Sequence, residues 1–272
     1  MSNFNHSQQS QVFLQKNGSQ PPNLPPMDEY GDLLPQLLSG PRKCEKGAGL
    51  SWLLKAFELF RDQPLLWLAI GVVYLIIFAI GGSIPFINFI FPFLSFVFIG
   101  GIIKGCADQS AGKELRFDHL FSAFNTHIKP LIILSILYAV VLIVAMIPIA
   151  LIFGGMAMSA VYQSDSFALI SVVVGISLAF ILVTPILMII WFAPALIVLH
   201  DVKPMQAMKM SFRGCVKNLL PFLVFGLMAP ILMLLGTLFT LGLGLIVLLP
   251  IGMITYYTSY RDVWTDQPLS AM

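Results

Sequence analysis

Apart from Asp165, charged residues are not spread along this chain but gathered at its ends and in two internal segments. From Gln63 to Ile103 there is no Asp, Glu, Lys, Arg or His, and the same holds from Pro130 to Ser164, from Ser166 to Leu199 and from Asn218 to Tyr260. A helix rising about 1.5 Å per residue needs about 20 apolar residues to cross roughly 30 Å of hydrocarbon. The first and last runs, each about 40 residues, are twice too long for one crossing, so each predicts a two-helix hairpin. Gly81-Gly82-Ser83-Ile84-Pro85 divides the first run, and Gly236, Gly242 and Gly244 divide the last, where turn chemistry is needed. The middle runs meet at Tyr162-Gln163-Ser164-Asp165-Ser166, a polar loop between two single spans. The pattern predicts six crossings.

The fourth span, about Phe167 to Leu199, exceeds what the bilayer requires and contains Pro185 and Pro194, so it is expected to be bent or broken. Ahead of each pair of spans lies a short segment with helical apolar spacing. In the first, Leu50, Leu53, Leu54, Phe57 and Phe60 share a face, with Lys55, Glu58, Arg61 and Asp62 mostly opposite. Phe117, Leu120, Phe121, Phe124 and Ile128 do so in the second. The third sets Met205, Met208, Phe212 and Val216 against Gln206, Lys209, Arg213 and Lys217. All three fit amphipathic helices lying in the membrane interface. Pro64, Pro130 and Pro221 then stand near the starts of spans one, three and five, a position that suits proline.

These elements predict an all-α integral membrane protein with six transmembrane helices, built as three repeats of an interfacial amphipathic helix plus a two-span hairpin. The repeats begin near residues 47, 113 and 201 and are expected to form a ring-like bundle with a collar of interfacial helices. Residues 1–46, rich in Ser, Asn, Gln and Pro, read as a disordered cytosolic tail. Residues 47–264 read as the six-span domain, and 265–272 as a short cytosolic C-terminal tail.

Composition agrees and adds orientation. The chain is 58% hydrophobic and only 10% charged, far from the soluble norm of about 25% charged. A net charge of +2 is too small to argue for nucleic acid. With six spans, all 15 Lys and Arg fall before span one, between spans two and three, between spans four and five, or after span six. The positive-inside rule therefore predicts that both termini are cytosolic, and no cleavable signal is expected ahead of the first span. Cys44, Cys106 and Cys215 have no metal-binding spacing and read as reduced thiols.

Gly49-Leu50-Ser51-Trp52 with Phe57 to Arg61, Leu120 to Phe124, Phe192 to Asp201, Met210 to Phe225 and Ser259-Tyr260-Arg261-Asp262 together resemble an uncharacterised family of bacterial six-span inner-membrane proteins. The resemblance covers about Gly47 to Trp264. More distantly, the repeating unit looks like the membrane portion attached to some glycerophosphodiester phosphodiesterases. The resemblance implies the fold and carries over no catalytic residues.

Candidate chemistry is sparse. His200-Asp201, at the expected end of span four, could handle protons or, with Asp118, His119 or His127, hold a metal. The plainer alternative is that His200 ends the span and Asp201 caps the next helix. Lys209, Arg213 and Lys217 recur every four residues as a basic stripe suited to anionic headgroups or a partner surface. Arg261-Asp262, expected just past the last span, reads as surface capping, with an internal ion pair as the alternative. The Gly101 and Gly105 spacing permits close helix approach. No ionisable group falls within the predicted spans, where coupled transport commonly places one, and no nucleophile elbow, zinc motif or phosphate loop occurs. No cofactor, metal or catalytic residue is expected. The expected role is non-enzymatic, organising a partner protein or anionic lipid at the cytosolic interface. A transporter or channel for a neutral or amphiphilic substrate is the alternative, and a lipid-modifying enzyme using His200 and Asp201 a third. Oligomeric state is not legible.

Overall fold

The structure, a computed structural model, describes residues 34–269 except 86, 163 and 164. The Pro21–Pro26 stretch, most of the expected N-terminal tail and part of the loop after Tyr162 lie outside the described residues. Among the described residues ten helices follow one another: α1 Ala48–Asp62, α2 Pro64–Ser83, α3 Ile87–Ser110, α4 His119–Thr126, α5 Ile128–Tyr162, α6 Asp165–Ile190, α7 Ala193–His200, α8 Pro204–Lys217, α9 Leu219–Phe239 and α10 Gly244–Trp264. Among the described residues the only β-type pairing is an isolated antiparallel bridge between Leu37 and Thr265.

Among the described residues five segments are long and apolar enough to cross a membrane: Pro64–Ser83, Phe91–Ser110, Ile128–Leu151, Val173–His200 and Leu219–Phe239. Helix α10 matches them in length, at 21 residues, but not in hydropathy. Its second half runs Thr255-Tyr256-Tyr257-Thr258-Ser259-Tyr260-Arg261-Asp262. Those groups face protein rather than lipid. Thr258 donates to the Trp52 carbonyl at 2.9 Å, and Ser259 accepts the Trp191 indole N–H at 3.0 Å. A buried polar group needs a partner, and these two of α10 find theirs on α1 and on the link between α6 and α7.

The break expected in the fourth span is present: α6 stops at Ile190 and α7 restarts at Ala193, with Pro194 in its first turn, where a missing N–H costs nothing. Pro185 stays inside α6.

The short helices each pack against a long one that is not their sequence neighbour on the C-terminal side: α4 lies on α3, α8 on α6 and α1 on α10. Between membrane helices, lipid is as apolar as leucine, so association depends on close packing and small residues. Gly101 carries that role for α3 and α4. A methyl group there would clash with the His119 carbonyl oxygen and come within 2.6 Å of the Leu120 carbonyl oxygen. Gly49 does the same for α1 against the backbone of Pro221 and Phe225 in α9. Two aromatic clusters fill the remaining space. Trp191 meets Phe222, Phe225 and Tyr256 with ring centroids 5.4, 5.2 and 4.5 Å away. Phe98 of α3 meets Phe124 of α4 at 5.0 Å and Tyr74 of α2 at 6.0 Å, each such pair adding about 0.5–1.5 kcal/mol.

The short helices correct one expectation. In α8 the buried face is Ala207, Met208, Ser211, Gly214 and Cys215, whereas Met205, Phe212 and Val216 are exposed. In α1, Leu53 and Phe60 are buried but Leu50, Leu54 and Phe57 are exposed. What reads as one apolar face is two: one against the protein and one turned outward.

Gly101→Ala is expected to destabilise the detergent-solubilised protein by about 1–3 kcal/mol, the usual cost of overpacking. Gly226→Ala, in α9 with open space around it, should be neutral or slightly stabilising. Thermal unfolding of the two variants checks the difference.

Candidate functional site

The basic stripe, the chain segment before α1 and the end of α10 converge on the junction between α8 and α9. Helix α8 begins at Pro204, carries Lys217 in its last turn where the helix dipole favours a cation, and ends at Asn218. Around its axis, at about 100° per residue, the exposed apolar stripe of Met205, Phe212 and Val216 lies between the buried face and the exposed stripe of Lys209, Arg213 and Lys217.

Asn218 is the residue that the sequence reading missed. It is buried, and its amide is used fully: Oδ1 accepts the Cys44 N–H at 2.8 Å, and Nδ2 donates to the Arg42 carbonyl at 2.9 Å and the Gly214 carbonyl at 3.0 Å. The side chain thus stands in for a strand partner, gripping the chain on both sides of Lys43. Further bonds hold the same segment. Lys217 Nζ donates to the Pro41 carbonyl at 2.7 Å, the Arg42 N–H to the Val263 carbonyl at 2.7 Å, and the Arg42 guanidinium to the Thr265 carbonyl at 2.7 Å. The Leu38 N–H reaches the Trp264 carbonyl at 2.9 Å. Residues 35–46, within the segment expected to be a disordered tail, therefore form a docked strap. Its order comes from backbone bonding, which hydrophobic patterning does not register. Thr265 and Leu269, expected in the C-terminal tail, are likewise buried.

His200 and Asp201 do not form one site. His200 Nε2 hydrogen-bonds the Tyr260 hydroxyl of α10, whereas Asp201 Oδ1 pairs with His127 Nε2 at 3.0 Å. Asp201 ends α7 in the left-handed region at φ 52°, with its N–H bonded back to the Ile197 carbonyl, so it closes the preceding helix rather than capping the next. Among the described residues no three His, Cys, Asp or Glu side chains converge as metal ligands. Cys44, Cys106 and Cys215 are free. Burial, with the Asp262 carboxylate adding to it, pushes the Cys44 thiol up to about 12, which keeps it protonated.

Arg261 and Asp262 contradict the surface-capping expectation. Both lie inside α10 and are only 3% exposed. Arg261 donates to the Tyr257 hydroxyl at 2.8 Å and the Gln267 carbonyl at 2.9 Å, and the Asp262 carboxylate accepts the Trp52 indole N–H at 2.9 Å. Charge ordinarily marks a surface; here Asp262 is partnered from the distant α1, and Arg261 from within α10 and the segment directly after it.

A separate polar pocket of about 220 Å³ opens between α3 and α4, lined by Lys104, Asp108, Arg116, Asp118, His119 and Ser122. Its carboxylates are paired, Asp108 with His119 at 3.0 Å and Lys113 at 3.6 Å, and Asp118 with Arg116 at 2.8 Å, while Lys104 donates to the Thr126 hydroxyl at 2.9 Å. The hydrogen bond to Asp108, aided by the Arg116 carbonyl, raises the His119 pKa above its usual 6.5 against the opposing effect of burial.

A protein of Burkholderia thailandensis named as a probable inner membrane protein is 27% identical to this chain over 197 residues, which cover 66% of this chain and 71% of the relative. No protein-family profile matches, and no solved structure matches.

Asn218→Ala leaves the Cys44 N–H and the Arg42 carbonyl without their side-chain partner, a loss of about 1–3 kcal/mol. Faster amide hydrogen exchange over residues 38–44, with α3 and α4 unchanged, is the expected result. His119 contributes stability that is complete below 6.5 and lost as pH rises through its raised folded pKa. Thermal stability should therefore fall as pH rises above 6.5, and this slope should flatten in His119→Gln.

Proposed function

We propose that the chain is a multi-pass protein of a bacterial inner membrane that gathers anionic lipid, or a partner protein, at the cytosolic interface and catalyses no reaction. The observation that carries this reading is the three-sided character of the short helices. In α1, α4 and α8 alike, a buried face is followed around the axis, in the same rotational sense, by an exposed apolar stripe and then a polar one. The exposed apolar groups are Leu50, Leu54 and Phe57 in α1, Phe121 in α4, and Met205, Phe212 and Val216 in α8. A helix lying in the headgroup region, with the bundle on one side, acyl chains below and water above, calls for that order.

The six-span, three-repeat architecture belongs to the same proposal, with α10 as the sixth span. Supporting it, each short helix precedes two long ones and packs on the second long helix of the preceding set, α4 on α3, α8 on α6 and α1 on α10, so the contacts run in a closed cycle. The strap before α1 also meets the end of α10, as an even number of crossings requires. With six spans, all 15 Lys and Arg of the sequence fall in segments assigned to one side, which supports cytosolic termini under the positive-inside rule. The name of the Burkholderia relative supports the inner membrane. The unit's distant likeness to the membrane portion of some glycerophosphodiester phosphodiesterases concerns architecture and brings no activity with it.

Transport of a neutral or amphiphilic substrate is less well supported. The break in the fourth span, its main motive, lies where Phe192 through Val198 are all buried, in a packed interior rather than along a groove. Gentle extraction into native lipid particles, followed by lipid and protein mass spectrometry, tests the reading. Anionic lipid enriched over the bulk membrane, or a stoichiometric protein partner, is expected; bulk lipid alone, together with solute uptake in liposomes holding only this protein, would overturn it.

A further inference from the structure

Basic residues far apart in sequence become neighbours at the α8–α9 junction. Asn218 holds the backbone at Arg42 and Cys44, so Lys43 sits between two pinned residues. Pro41, next along, is bound by Lys217 itself, the last member of the α8 stripe. Lys43 and Lys46 are exposed, as are Lys209, Arg213 and Lys217. The strap thus continues the stripe beyond the end of the helix. Glu45 is the single acidic residue between Pro41 and Lys46.

We propose that the docked strap and α8 form one composite site for anionic phospholipid headgroups, in which Lys43 and Lys46 extend the Lys209, Arg213 and Lys217 stripe. This rests on the reading of α8 as an interfacial helix and adds to it a second element that the stripe alone does not contain. A lipid is the occupant because the charges do not stand alone. The exposed apolar residues Met205, Phe212 and Val216 run beside them along the same helix, and Leu219 and Leu220 are exposed directly after Asn218. A soluble polyanion would use the charges and leave that apolar surface in water; a phospholipid covers both. The arrangement also gives Asn218 a role beyond stability, because it sets the distance between two sets of cations and so decides whether one headgroup cluster meets both.

The test uses the full chain in nanodiscs of phosphatidylethanolamine with a minor share of phosphatidylglycerol. Phosphatidylglycerol retained on transfer to detergent is counted by native mass spectrometry. Each cation near an anionic surface is worth about fivefold in affinity, so Lys43→Ala/Lys46→Ala and Lys209→Ala/Arg213→Ala should each reduce retention by about tenfold or more. Asn218→Ala, which removes no charge, should resemble the strap variant. Wild-type retention in the strap variant, with loss in the α8 variant, would overturn the composite site and leave the interfacial reading standing. Wild-type retention in both would overturn the two together. Displacement of phosphatidylglycerol by inorganic phosphate at comparable concentration would show a phosphate site and overturn the lipid assignment. Should Asn218→Ala fail to fold, the Lys43 and Lys46 variant, altering only exposed side chains, decides alone.

Discussion

Arg261 and Asp262, buried near the end of α10, constrain everything packed around them. A buried charge costs several kcal/mol unless it is paired and hydrogen-bonded. Trp52 of α1 reaches Asp262 from a distant segment, Tyr257 of the same helix and the nearby Gln267 carbonyl hold Arg261, and the strap bonds the carbonyls of Val263, Trp264 and Thr265 that follow. Satisfying Asp262 therefore ties the first helix to the last, and the strap joins them through the backbone carbonyls just beyond. That end of the bundle is also where the other polar links occur, including His200 to Tyr260 and Trp191 to Ser259. Toward the other end the long helices expose apolar surface, as with Ile143, Phe180 and Leu238, which hydrocarbon accommodates without further partners.

How much of this was legible in the sequence follows from what hydrocarbon forbids. Charge cannot be placed there cheaply, so the charge-free runs marked the long helices and proline marked the break before α7. Less legible was the direction each apolar residue faces. Leu53 and Leu54 have the same chemistry, yet one meets protein and the other does not, because lipid and protein interior reward the same side chain. The buried face of α8 was missed for a related reason. Ala207, Ser211 and Gly214 give little hydrophobic signal beside their larger neighbours, although close helix packing in membranes selects small residues. Gly214 admits Trp264 and Phe192, and a side chain there would meet the Trp264 indole nitrogen at 2.8 Å.

The strap and Asn218 were beyond pattern reading altogether. Pro41-Arg42-Lys43-Cys44 has no periodicity, and the bonds that order it, those of the Asn218 amide among them, come from residues more than 170 positions away. The one available signal was Asn218 itself, a polar residue placed where a basic helix ends and a long apolar run begins. Of the two candidate sites, the basic stripe of α8 gains neighbours in the structure, whereas the adjacent pair His200-Asp201 is divided between α10 and the start of α5.

The account turns on the short helices lying in the headgroup region with their exposed apolar stripes toward the acyl chains. Single fluorescent labels at positions 54, 121 and 212, compared with labels at 55, 122 and 213, report this directly in reconstituted bilayers with lipid-attached and water-soluble quenchers. The first set is predicted to be quenched from the lipid and the second from water, on all three helices. Quenching of the first set only from water would place the helices away from the membrane and contradict the account.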